Sequence, residues 1–209
     1  MAAYNTHAGN LRLIGGQLCL DFVNTANNHS RTNMKEHLVD YAALIAWARH
    51  ARALGAADAR QLAAEAGTRP ANAAQALGRA RELRNALYQL FSAPMAGDRI
   101  PSNDLAVFNA ALARLPRQIQ LATTPAGLDW IWGAADRLEL PLYAVIWSAA
   151  ELLTSPQRAL VRECEGHECT WLFLDTSRNH SRRWCSMEDC GNRAKAQRHY
   201  ARYHMHKQP

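Results

Sequence analysis

Cys164-Glu-Gly-His-Glu-Cys169 and, fifteen residues later, Cys185-Ser-Met-Glu-Asp-Cys190 decide how the C-terminal part of this chain folds. Two close cysteine pairs separated by a hairpin-length stretch form a structural zinc pattern. A tetrahedral Zn²⁺ is satisfied by four thiolates and then keeps no open position for water. Cys164, Cys169, Cys185 and Cys190 are therefore expected to hold one structural zinc, a fold staple and not a hydrolytic centre. Two disulfides are the competing use of four cysteines. Residues 1–10 have no basic stretch leading into an apolar run, so the expectation is a cytoplasmic chain, where disulfides are rare. Cys19, between Leu18 and Leu20, has no partner in sequence and reads as a small buried hydrophobe.

Outward from the first pair, Gly166 permits a knuckle turn and Trp171-Leu-Phe-Leu174 reads as a strand. Asp175-Thr-Ser-Arg-Asn179 is turn chemistry, and Arg182-Arg-Trp184 is expected as a second short strand leading into Cys185. Ser186 is a good N-cap, with Glu188 and Asp189 at the positive end of a helix running to about Tyr203. Knuckle, hairpin, then a helix with two ligands near its start is the order of a treble-clef finger. His167 is expected to stay a solvated loop residue, and His180 with His199 is too little for a nuclease metal site.

These residues resemble a known family. Trp184-Cys-Ser-Met187 followed by Cys190-Gly-Asn-Arg-Ala-Lys195 is similar to the CGNR zinc finger, and residues 172–179 with Arg182 and Arg183 fit the same module. Near the N-terminus, Gly15-Gly16 and Leu20-Asp-Phe-Val-Asn-Thr25 resemble the start of the ABATE domain that accompanies this finger. The resemblance covers essentially the whole chain. It implies a candidate stress-induced bacterial transcription regulator, with a mechanism left open.

The charge is divided unevenly. Residues 176–209 hold eight Lys/Arg and two acids, which accounts for the whole formal net charge of +6; the other 175 residues hold sixteen of each sign. A basic end on a neutral body is the footprint of a polyanion binder. Arg182, Arg183, Lys195, Arg198 and Arg202 are the candidate nucleic-acid contacts, the last three sharing a helix face. Arg193, beside Cys190, is expected to serve the metal centre. There is a counterweight: zinc on four thiolates carries −2, so residues 161–209, formally +3, come to about +1 with the metal.

Residues 1–155 are alanine-rich and mostly helical in pattern. Leu44, Ile45 and Ala48 set a helix to about Leu54, capped by Asn33 with Glu36 or by Asp40. A short helix follows from Ala57 to Ala66, ended by Gly67. A longer one opens at Pro70 with Leu77, Leu83, Leu87, Leu90 and Phe91 as its stripe, and another runs from Ser102 to about Leu115. The period then changes: 118–121 and 128–132 alternate as a β-hairpin about a Thr-Thr-Pro-Ala-Gly turn. Pro141 starts a last helix, apolar nearly all round and hence central, whose uncharged run is too short to span a membrane. The expected fold class is α+β: a mostly helical N-terminal domain with a β-hairpin (1–155), joined at 154–160 to a treble-clef-like zinc finger (160–209). The finger is expected to unfold independently when it loses its metal.

In Leu20–Thr25 the polar side chains either satisfy a local turn or line a ligand pocket made of Asp21, Asn24 and Arg84, with Arg81 or Arg84 pairing with Asp21. The functional expectation is a zinc-dependent DNA-binding transcription regulator with an N-terminal domain sensing a small-molecule effector or a partner. The alternative is a zinc-stabilised protein- or RNA-interaction module. No nucleophile–base pair, phosphate loop or open metal site argues for an enzyme, and one finger binds DNA weakly enough to make a homodimer an expectation.

Overall fold

The computed structural model describes residues 7–27, 29, 34–115, 119–124, 127–132 and 137–205, with the side chains of 124, 129 and 201–205 left aside. The elements run α1 (Leu18–Val23), β1 (Ala26–Asn27), β2 (Lys35–Glu36), α2 (Tyr41–His50), α3 (Ala56–Thr68), α4 (Pro70–Met95) and α5 (Ser102–Ala113). Then come β3 (Ile119–Thr124), β4 (Gly127–Trp132), α6 (Leu140–Thr154), β5 (Val161–Glu163), β6 (Leu172–Leu174) and α7 (Asn192–Met205). The strands form three separate antiparallel pairs: β1 with β2, β3 with β4, and β5 with β6.

Most boundaries follow the chemistry read from the sequence. Asp40 caps α2 by accepting from Ala43 N at 2.7 Å, while Asn33 lies outside the described residues. α2 ends at His50, short of Leu54, because Arg52 turns left-handed (φ 60) and Ala53 N bonds back to Ala48 O at 2.8 Å. This is a Schellman stop with arginine where glycine is usual, so it leaves no sequence signal. α3 runs through Gly67 to Thr68. It is Pro70 that ends it, forcing Arg69 out of helical geometry (φ −130, ψ 58). The β3–β4 ribbon forms in the expected place, Gln118 and the Pro125–Ala126 turn lying outside the described residues.

α6 is central, packing against α1, α2, α4 and α5. Its Val145, Ile146 and Ala149 meet Leu20 and Phe22 of α1 and the Leu83–Leu87–Leu90 stripe of α4 in one core, where the Phe22 and Trp47 rings lie 5.2 Å apart. Cys19 is fully buried there, and burial pushes its thiol up to about 12, so it behaves as a hydrophobe. No described helix is long and apolar enough to cross a membrane.

The same core continues into the cysteine-bearing region. Val161, Leu172 and Leu174 are buried in it. One edge of β6 pairs with β5. The opposite edge is covered by the N-terminal segment. Asn24 Nδ2 donates to Leu172 O at 2.9 Å while its Oδ1 accepts from Leu172 N at 2.8 Å, and Leu174 N donates to Gly15 O at 2.8 Å. Asn24 thus acts as a one-residue strand. Gly16 adopts φ 79 with its missing Cβ only 3.3 Å from Leu174 Cβ, so a side chain there would be strained by the backbone and crowded by Leu174. The β5–β6 pair is therefore built jointly by both ends of the chain, and independent unfolding does not suit this packing.

Asn24→Ala should lower stability by about 2–4 kcal/mol, since it strands a buried N–H and a buried C=O on Leu172. Urea titration followed by circular dichroism checks this. Cys185→Ser should likewise lower the melting temperature of the helical signal as a whole; two well-separated transitions would contradict a shared core.

Candidate metal centre

Cys164, Cys169, Cys185 and Cys190 are all buried, and their four sulfurs lie within 4.8 Å of one another. Cys169 and Cys185 Sγ are 3.8 Å apart, and Cys185 and Cys190 Sγ 3.6 Å. A disulfide would need about 2 Å. Four thiolates at about 2.3 Å from a tetrahedral zinc stand about 3.8 Å from one another. The donor set, its spacing and its closure by four sulfurs therefore fit one structural zinc, and the disulfide alternative fails.

Local structure explains how the sulfurs arrive. Cys164 follows β5, its N–H bonded to Trp171 O at 2.9 Å. The knuckle closes through Cys169 N to Gly166 O at 3.0 Å, with Glu168 in the left-handed region (φ 61). Gly166 is needed for space: a Cβ there would stand 2.9 Å from Cys190 Sγ and 3.3 Å from Cys164 Sγ. Backbone N–H groups of Gly166 and Cys185 point at Cys164 Sγ, at 3.4 and 3.2 Å, as amides do around a thiolate. The second pair sits at the start of α7. Ser186 caps by accepting from Asp189 N at 3.3 Å, and a widened turn, Met187–Gly191, carries Cys190 inward.

The electrostatics call for a cation. Sulfurs this close share protons, so Cys169 and Cys185 are pushed up by their neighbours. Cys190 is pulled down, first by the thiols of Cys164, Cys169 and Cys185 and then by Arg193, which donates to its sulfur at 3.1 Å. All four sulfurs can be thiolates together only around a divalent cation. Arg193 takes the metal-centre role expected of it. His167 is exposed, and His180 points Nδ1 at Asp175 O (3.0 Å); among the described residues the four cysteines are the one metal-ligand cluster.

The basic residues divide sharply. The expected strand at 182–184 does not form. Buried Asp175 gathers the loop instead, accepting from Ser177 N and Arg182 N, each at 3.0 Å. Arg182 lies 4.2 Å over the Phe173 ring and donates to the carbonyls of Trp184 and Cys185. Arg182, half-buried, is thus occupied in holding the second cysteine pair. Arg183 is exposed, over Trp184 and paired with Glu165. Lys195 and Arg198 are exposed on α7; the Arg202 side chain lies outside the described ones. Between knuckle and helix runs a groove of about 370 Å³ lined by Glu165, Arg183, Trp184, Ala194, Gln197 and Arg198.

The ligand pocket expected of Asp21, Asn24 and Arg84 is not what these side chains build. Asp21 accepts from Gly15 N at 2.8 Å, Asn24 clamps Leu172, and Arg84, fully buried, makes a two-pronged pair with Glu36 at 2.7 and 2.8 Å. Arg81 also turns to Glu36 and to Leu38 O. Burial pushes the Glu36 carboxyl up, but the Arg84 hydrogen bonds and charge outweigh it and hold it below the usual range. Two contacts were invisible in the sequence: Arg12 reaches Ser186, Glu188 and Asp189 at the start of α7, and Asn27 holds Thr170 N at 3.1 Å. Neither partner lies within 140 residues, and no motif marks either residue.

Fold and site together define a helical protein that carries a zinc-stapled C-terminal module on a shared core. The chain belongs to the ABATE family, whose model, described as "Putative stress-induced transcription regulator", matches residues 16–156. The model of the CGNR zinc finger matches residues 161–203. Compared with the curated proteins, the chain matches none.

Gly166→Ala should weaken zinc retention by about tenfold or more, read by competition with a chromogenic chelator. A second expectation concerns Asp21, whose carboxyl burial pushes up to about 6. A raised acid pKa means stability present below the unfolded value near 4 is lost as pH rises through 6. Asp21→Asn keeps an acceptor for Gly15 N and removes the charge. Its stability relative to wild type should therefore rise between pH 4 and 6 and then level off in denaturant titrations.

Proposed function

We propose that this protein is a cytoplasmic bacterial transcription regulator of the stress response, binding DNA through its zinc module and sensing an effector or partner through its helical domain. The reading is non-enzymatic. The observation that carries it is the exposed cationic face of α7, Lys195 and Arg198, set just beyond a metal centre that fixes the start of the helix. A helix pinned at one end by four sulfurs and presenting cations along its length is suited to a groove. Phosphates would be met by Lys195, Arg198 and Arg202, with Arg183 released from Glu165 as a fourth contact. Gln197, beside Arg198 on the 370 Å³ groove, supplies an amide of the kind that reads adenine edges.

One observation favours the alternative of a protein or RNA partner. Zinc on four thiolates nearly cancels the positive charge of residues 161–209, and Arg182, Arg183 and Arg193 are spent within the module. Salt dependence separates the two, because counterion release marks nucleic acid.

The experiment is selection of genomic DNA fragments by the zinc-loaded protein, with a chelated control. A shared motif, lost on chelation, is the expected result; fragments recovered without sequence preference would move the assignment to a protein or RNA partner. On the selected site, Lys195→Ala with Arg198→Ala should weaken binding and reduce the slope of log K against log salt by about 2, roughly 0.9 for each lost phosphate contact. Unchanged affinity and slope would exclude docking through this face.

A further inference from the structure

The β3–β4 ribbon lies far in sequence from the zinc module. Its register sets Ile119 beside Trp132, Leu121 beside Trp130 and Thr123 beside Leu128, so these six share one face. At its base that face is anchored on α6, with Trp132 5.8 Å from Tyr143 and Trp130 6.2 Å from Trp147. Toward the turn the face runs clear of the body. Leu121 is 58% exposed, Leu128 71% and Trp130 46%, and Ile131 on the other face is 52% exposed. Apolar surface gathered like this on a protein with a well-filled core marks an interaction site.

The edge says more than the face. Among the described residues β3 pairs with β4 alone. Exposed edges are normally guarded by a lysine, a proline, a bulge or a covering segment. Within Ile119–Thr124 there is no charge and no proline, and six consecutive ladder pairs run without a bulge. A two-stranded ribbon is also marginal by itself in water. Among the described residues this edge is unguarded, regular and uncharged, on a ribbon that needs more strands, and it is built to receive one.

We propose that this edge is a homodimer interface: β3 of one copy pairs antiparallel with β3 of a second copy about a twofold axis. The product is a four-stranded sheet in the order β4–β3–β3–β4, with Leu121 and Thr123 of each β3 brought against the other copy. Charge and symmetry single out the occupant. All of the net +6 lies in residues 176–209, and the rest of the chain is neutral, so two N-terminal domains approach without net repulsion. Asp129 is the single charged residue from Ile119 to Trp132, so a strongly acidic or basic partner finds no counter-charge there. An antiparallel edge is its own complement about a twofold axis, and such dimers are the commonest oligomers. The interface does not depend on what the zinc module binds, though it would put two such modules in one particle.

The test is sedimentation velocity and equilibrium of the full zinc-loaded chain. Wild type should be dimeric at micromolar concentration. Leu121→Lys with Thr123→Lys, two exposed positions on one face, sets like charges across the axis and should raise the dimer dissociation constant at least tenfold. Helix content and zinc stoichiometry should stay at wild-type values. Should that variant misfold, Ala122→Lys, on the other face of the same edge, replaces it. Val39→Lys, exposed and remote in sequence, should leave the dimer intact. A wild-type chain that stays monomeric up to about 100 μM overturns the proposal. So does a dimer that survives the β3 lysines, or one that Val39→Lys disrupts equally.

Discussion

The structure depends on how the two edges of β6 are closed. β6 is only three residues long, too short to hold two layers together by itself, and its backbone groups are buried. β5 satisfies one edge. On the other, Asn24 and Gly15 supply the hydrogen bonds that a third strand would have made. This makes the N-terminal helix a structural part of the zinc module. Phe173, between Leu172 and Leu174 on β6, turns to the opposite side, where it packs with the four cysteines and under Arg182. One three-residue strand therefore has a helical core on one face and a metal centre on the other.

That arrangement also explains which polar residues of the N-terminal stretch are used, and for what. Asp21, Asn24 and Thr25 look like a pocket lining when read in line. In space each is matched to a backbone group: Gly15 N, both polar atoms of Leu172, and Phe22 O. Buried polar side chains must be satisfied somewhere. Here they are satisfied by main-chain groups of neighbouring segments. Arg12 works in the same sense at a distance. It pairs with Glu188 and Asp189, two acids in the turn that leads into α7.

Much of this was legible in the sequence where the signal is local. The four cysteines announce themselves by spacing, Ser186 by capping chemistry, and the β3–β4 ribbon by alternation. The long stripe of α4 and the apolar α6 identify the core. What stayed hidden depends on contacts between distant segments. Arg52 ends α2 in a conformation that glycine usually signals, so the helix looked longer. Residues 182–184 read as a short strand in sequence, but Asp175 and the Phe173 ring capture Arg182 and bend the segment into a loop. No periodicity in the first 25 residues shows that they will complete a strand almost 150 positions away.

The division of arginines follows from the same geometry and bears on function. A zinc–thiolate centre is a concentrated negative charge, and it draws in the nearest cations: Arg193 directly, Arg182 through the backbone that carries Cys185. Arg183 is held back by Glu165. The cations left over are those too far along α7 to reach the metal. Distance from the zinc therefore sorts the basic residues into those that hold the fold together and those open to a partner. The helix is long enough, at fourteen residues, for both sets to exist on one element. A shorter α7 would have spent all its charge on the metal. The length of the helix beyond Arg193 thus separates a zinc staple from a zinc module with a cationic surface to offer.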